Sequence, residues 1–216
     1  MVVREKFESE LKELKGRLIQ LGTVTSEALT QAFTALENQD IEAALEIIDD
    51  DVKINILEEE INDAAILLIA KQQPVASDLR TIIAAIKIAA DLERMADFAV
   101  NIAKSTIRIG KEPFIKPLDH LKEMHGITIE MIDLAIQSYD TENLAEAKEV
   151  SEMDDRVDQL YGETIKSLLQ RTNENMAQVT QLTFIARYLE RTADHATNIA
   201  ENIFFMVKGR HYDLNE

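Results

Sequence analysis

Four of the chain's pairs of acidic or amide side chains four residues apart stand out: Glu93 and Asp97, Glu190 and Asp194, Asp154 and Asp158, and Asp51 and Asn55. On a helix such residues lie one above the other on a single face. Two carboxylates so placed repel by about 0.2–0.5 kcal/mol on an exposed helix, and by more where water is partly excluded. A cation between them reverses the sign. Oxygen-only donor sets suit hard or borderline ions such as Mg²⁺, Mn²⁺, Ca²⁺ or iron. A purely structural reading competes with this one. Arg94 and Arg191 stand three residues before Asp97 and Asp194, near enough to hold them as ordinary ion pairs.

Counting from the turns that separate these segments brings them level. Asp97 lies 23 residues after Pro74 and Asp51 lies 23 before it, while Glu93 and Asn55 each lie 19 away. Around Glu174, Asp194 and Asp154 are each 20 away, and Glu190 and Asp158 each 16. Antiparallel helices folded at those turns would present Asp51, Asn55, Glu93 and Asp97 together, and Asp154, Asp158, Glu190 and Asp194 together. Common ancestry alone could also preserve a structural acidic network in both halves.

Other chemistries find little support. There is no phosphate-cradling glycine loop, no G-x-S-x-G elbow, no H-E-x-x-H zinc site and no E-x-x-H di-iron pair. With no nucleophile and base in view the chain reads as a non-enzyme. Metal-assisted hydrolysis on the acid cluster is the remaining catalytic alternative, and a metal-binding or metal-storage bundle is another. His195, next to Asp194, reads as a helix-surface histidine without a ligand role. His120, His125 and His211 have no usable partner spacing, and Phe204-Phe205-Met206 reads as core or dimer contact.

The elements that carry these residues come in two copies. The run from Asp91 to Ala103 returns from Tyr188 to Ala200, with Glu, Arg, Ala, Asp, Asn, Ile and Ala recurring at an offset of 97. Apolar residues from about Val3 to Glu37 recur three and four apart, which predicts a first helix. Asp40 can cap a second, running to about Gln72, with Ile41, Leu45, Ile48, Val52, Ile56, Ile61, Ala65 and Leu68 on its apolar stripe. Gln73-Pro74 stops it. Ser77 and Asp78 offer caps for a third helix, Leu79 to Ile109, closed by Gly110. At about 100° per residue, Arg80, Lys87, Asp91 and Arg94 share one sector of that helix, read as its solvent face. The second half repeats the plan: Pro117 opens helix four, Tyr139-Asp140-Thr141 forms the matching turn, helix five covers Glu142 to Arg171, and helix six Asn175 to Lys208. The expected fold is all-α, six long helices in two tandem three-helix bundles related by internal duplication. The units are residues 1–112 and 113–216, and the short joint at Glu112 to Lys116 implies that the bundles sit against each other.

Composition agrees. Hydrophobic residues make up 46% of the 216, with six Gly, three Pro and no Cys, which excludes disulfides and thiol chemistry. A net charge of −17 argues against nucleic acid as a partner and suits cations or basic protein surfaces. No uncharged apolar stretch approaches the roughly 18 residues of a membrane span, and the N-terminal residues mix charges where a secretory signal needs an apolar run, so a cytoplasmic protein is expected.

At the paired E-R-x-A-D and N-I-A segments the chain resembles the PhoU family, the phosphate-uptake regulators of bacteria, from end to end. That family carries repeated E(D)-x-x-x-D motifs on tandem three-helix bundles. Glu93-x-x-x-Asp97, Glu190-x-x-x-Asp194 and Asp154-x-x-x-Asp158 match, whereas Asp51-x-x-x-Asn55 departs by ending in an amide. The resemblance implies a regulator without catalysis, an adaptor between the phosphate ABC transporter's ATPase subunit and a sensor histidine kinase, restraining uptake and phosphate-starvation gene expression. It also implies metal clusters on the acidic motifs and a homodimer.

Overall fold

A computed structural model describes residues 2–214. They form six α-helices: α1 (Val2–Asn38), α2 (Ile41–Gln72), α3 (Ala76–Ile109), α4 (Asp119–Thr141), α5 (Leu144–Leu169) and α6 (Met176–Lys208). Helices α1, α2 and α3 pack mutually as one bundle and α4, α5 and α6 as a second. The bundles meet along α3 with α6 and α1 with α4, leaving α2 and α5 on the outside. This is the expected pair of tandem bundles. Among the described residues no helix is long and apolar enough to cross a membrane.

The two hairpin turns share one design. In the first, Gln39 adopts a left-handed backbone (φ 51°) and Asp40 caps α2 by accepting the amide hydrogens of Glu42 and Ala43. In the second, Glu142 (φ 57°) and Asn143 play those parts, Asn143 accepting from the Ala145 amide. The turn expected at Tyr139-Asp140-Thr141 therefore falls later. Tyr139 is a buried core anchor and the Thr141 hydroxyl donates to the Gln137 carbonyl, so α4 runs on until Asn143 can cap its successor. Aligning Asp40 with Asn143 relates the outer helices of the two halves by 103 residues.

Three further expectations shift. Helix α3 begins at Ala76, without a side-chain cap; Asp78 instead pairs with Arg4 at 3.1 Å and the Ser77 carbonyl accepts from Thr81. Helix α5 stops at Leu169, because Arg171 turns back to donate to the Ile115 carbonyl. The stripe of α2 is rotated: Ala44, Ile47, Ile54, Ile61, Ala65 and Leu68 are buried, while Leu45, Val52 and Ile56 are exposed. Apolar residues ring most of α2, so periodicity alone admits two faces, and packing against α1 and α3 selects one.

The sector of α3 read as solvent-facing is instead largely the seam between bundles. Lys87 lies 5.6 Å from the Phe205 ring, the Arg80 guanidinium packs against Gly209, and Asp91 meets His195. Only Arg94 keeps an exposed side chain that also reaches its own acidic cluster. The joint at Glu112 to Lys116 is gripped from both halves. Gln39 donates to the Gly110 and Glu112 carbonyls, and Gln178 accepts the Ile115 amide hydrogen while donating to the Pro113 carbonyl.

Candidate functional site

The hairpins place the acidic residues as the counting from the turns requires. In the second bundle, α5 supplies Asp154 and Asp158 and α6 supplies Glu190 and Asp194. Asp154 and Glu190 are both buried. Burial, and then the charges of Asp158, Asp194 and Glu190, push the Asp154 carboxyl up to about 7. Burial and Asp194 likewise raise Asp158 and Glu190 above the usual carboxylate range. All four groups thus lie within one another's field. Arg187, one turn before Glu190, pairs with its Oε1, while Oε2 is buried without a hydrogen-bond partner.

In the first bundle the same positions hold Asp51 and Asn55 on α2 and Glu93 and Asp97 on α3. The Asn55 amide donates to Asp51 Oδ2 at 3.0 Å, and the remaining Oδ1 atoms of both residues are buried without partners. Burial raises the Asp51 carboxyl, the Asn55 hydrogen bond pulls it back, and Asp97 raises it again. Glu93 is raised by burial and by Asp97, and lowered by Arg94. The amide in place of a fourth carboxylate makes this the less acidic of the two clusters.

Counter-ions separate the copies. Arg94 reaches Asp97 at 2.9 Å and Glu93 at 3.6 Å, the compensation expected of it. Arg191 stands over the Phe98 ring, 5.7 Å from its centroid, and among the described residues it forms no ion pair with Asp194. Arg187 takes over as counter-ion in the second cluster. That residue, like Glu58 beside Glu93, was missed from sequence. Its position three before Glu190 was the available signal, but the first copy has Ala90 there, and a search for repeated residues passes over it.

His195 is not a surface histidine. Its Nδ1 lies 2.8 Å from Asp91 Oδ1 in the seam, away from a ligand role. His125 is stacked on Phe33 with ring centroids 4.4 Å apart, and burial holds its imidazole down to about 4. Phe204 meets Tyr212 in a tilted ring contact, Phe205 stacks on His211, and Met206 is core.

The donor set fits a hard cation in chemistry: oxygen atoms only, crowded negative charge, and buried oxygens lacking partners. Among the described residues, however, no three acidic or histidine side chains are drawn close enough to form a ready cage. Mutual repulsion opposes such a cage, and Asp51 is turned to Asn55, Glu93 and Asp97 to Arg94, and Glu190 to Arg187.

The PhoU domain family model matches residues 18–106 and again 121–203. The phosphate-specific transport system accessory protein PhoU homolog of Clostridium acetobutylicum is 38% identical, over 100% of both chains. The corresponding accessory protein PhoU of Serratia marcescens is 33% identical, over 95% of this chain and 86% of that one. Among solved structures, the phosphate transport system regulatory protein PhoU of Streptococcus pneumoniae superposes with a TM-score of 0.90 at 28% identity, covering 96% of this chain and 99% of that one. PhoU of Pseudomonas aeruginosa gives 0.90 at 28%, covering 94% and 100%.

Proposed function

The chain belongs to the PhoU family, and from that membership we propose that it is a non-enzymatic, cytoplasmic regulator of phosphate uptake and phosphate-starvation signalling. It acts as an adaptor, a homodimer that docks on the ATPase subunit of the phosphate ABC transporter and on a sensor histidine kinase. The observation that carries this reading is the full-length match to transport-system accessory proteins. We take the units to be 1–112 and 113–216; α3 packs on α6 and α1 on α4, with the long helices α2 and α5 on the outside, where partners could reach them. Its acidic character would accelerate and orient encounter with basic cytoplasmic domains.

We further propose that Asp154, Asp158, Glu190 and Asp194 hold a divalent or iron cation, and that Asp51, Asn55, Glu93 and Asp97 hold one less tightly. The unpartnered Glu190 Oε2 and the raised carboxyls favour this, because a cation would satisfy the oxygen and relieve the repulsion. These side chains would rotate toward the ion, Glu190 leaving Arg187 to do so.

Deleting the gene and measuring alkaline phosphatase at high phosphate tests the regulatory role. Constitutive expression is expected, and unchanged repression would refute it. Pull-downs with the ATPase subunit and the kinase's cytoplasmic part test the adaptor. Metal analysis before and after Glu190→Ala plus Asp194→Ala tests the cation site, with loss of bound metal expected. Phosphatase turnover that disappears in the same double variant would favour a metal-dependent phosphohydrolase instead.

A further inference from the structure

The duplication supplies an internal control, and it exposes one place where the two halves differ. Between α1 and α2, floored by Ala96, Ala99 and Val100 of α3, runs an open groove of about 440 Å³. At the matching place in the second half, 103 residues on, Met131 replaces Ala28 and is completely buried, and Leu134 replaces Gln31. Arg156, in the position of Lys53, crosses from α5 to α4 and donates from Nε to Glu123 at 3.0 Å. Thus one copy of the scaffold is filled and strapped, and the other is left open. Lys53 makes no such strap, turning along its own helix to Asp50 at 2.7 Å.

The open copy is also apolar outside its lip. Val52 and Ile56 of α2 are 55% and 50% exposed, whereas Asp155 and Gln159 hold those positions on α5. The rim is negative: Glu27, Asp50, Asp51 and Glu60 line it, against Lys53, which pairs with Asp50, and Arg17, which reaches Glu60 at 3.6 Å. From Gln20 to Gln31 the groove follows α1 for about 17 Å, three helical turns.

We propose that this groove docks an amphipathic helix of a partner protein, its apolar ridge seated over Ala28 and Ala99 and its flanking Lys and Arg side chains on Glu27, Asp50 and Glu60. Helix-in-groove recognition asks for apolar anchors at spacings of three and four and a complementary rim, which this surface provides. The site is confined to the first bundle and goes beyond the adaptor reading, since it depends on no particular partner's identity.

The test titrates a fluorescent leucine–lysine peptide of about 18 residues, with one apolar stripe, into the full chain. A leucine–glutamate peptide and a scrambled leucine–lysine peptide serve as controls. Saturable binding of the first alone is expected, weakening as salt rises. Ala28→Met, which copies the second half, should weaken binding at least tenfold while leaving the thermal melt unchanged. Glu27→Gln with Asp50→Asn and Glu60→Gln, which touches no core residue, should weaken it at low salt and flatten the salt dependence. Amide shifts on binding should centre on Val24, Ala28 and Val100. Equal binding of the leucine–glutamate or scrambled peptide, shifts centred on the second bundle, or no binding overturns the proposal. So does self-association abolished by Ala28→Met, which would give the groove to a second copy.

Discussion

Asp91 of α3 and His195 of α6 meet at 2.8 Å across the seam, both side chains mostly buried, with Asn198 adding a longer hydrogen bond to the same carboxylate oxygen. Phe98 closes over the pair, its ring 5.7 Å from the imidazole. A polar contact so enclosed fixes the register of one bundle on the other, because sliding either helix by a turn would bury a charge without a partner.

Either Asp91→Ala or His195→Ala should therefore cost about 1–3 kcal/mol, the penalty of stranding the other group. The double variant should cost less than the two single losses added together. Urea melts of the four proteins measure this coupling, and strict additivity would count against a direct link.

The raised Asp154 carboxyl has a definite consequence for pH. Its folded value of about 7 exceeds its ordinary one, so the stability it contributes is fully present below the ordinary value near 4 and is lost as pH rises through about 7. In chelator, Asp154→Asn should raise stability at pH 8 by about 1 kcal/mol, roughly 2–4 °C in Tm, and much less at pH 5. His125 runs the other way. Its folded value of about 4 lies below the ordinary one near 6.5, so its contribution is lost as pH falls between those values. Calorimetry at both pH values checks the sign, and an equal gain at each would remove the crowded carboxyl as its source.

Asn55→Asp should restore the fourth carboxylate of the first cluster. It removes the hydrogen bond to Asp51 and adds a buried charge, so without metal it should destabilise by about 1–3 kcal/mol. With Mn²⁺ it should gain bound metal and recover stability. Metal analysis and melts with and without Mn²⁺ measure both effects.

Two glycines of α1 should respond oppositely to alanine. A side chain at exposed Gly16 meets nothing within 4 Å, so Gly16→Ala should stabilise by about 0.5–1 kcal/mol. A Cβ at Gly22 would stand 2.5 Å from Ile136 Cγ1 of α4, inside the contact between bundles. Gly22→Ala should cost about 1 kcal/mol net, overpacking exceeding the helix gain. Ile136→Ala in the same chain should relieve the clash, which thermal melts can show.

Much of this architecture was legible in sequence, because it rests on period and punctuation. Long helical stripes, Pro74, Gly110 and Gly209 place six helices, and counting from the turns brings Asp51 to Asp97 and Asp154 to Asp194. What escaped depends on which side of a helix its neighbours choose. The rotated face of α2 follows from its packing on α1 and α3, and the misread face of α3 from the second bundle's position, neither of which local pattern encodes. Asp91 looked solvated because its partner His195 is 104 residues away. The groove was hidden for a related reason: Ala28 and Met131 are both acceptable core residues, and their difference in volume matters only once the halves are superposed.

The reciprocal contacts, α3 on α6 and α1 on α4, are those of an isologous pair, with a pseudo-dyad running between the two bundles. A single gene now encodes what two identical chains would otherwise assemble. Fusion frees each protomer-equivalent to diverge: Asn55 against Asp158, Ala28 against Met131, Arg187 against Ala90. Asymmetry that a true dimer could never write into its own sequence becomes available here.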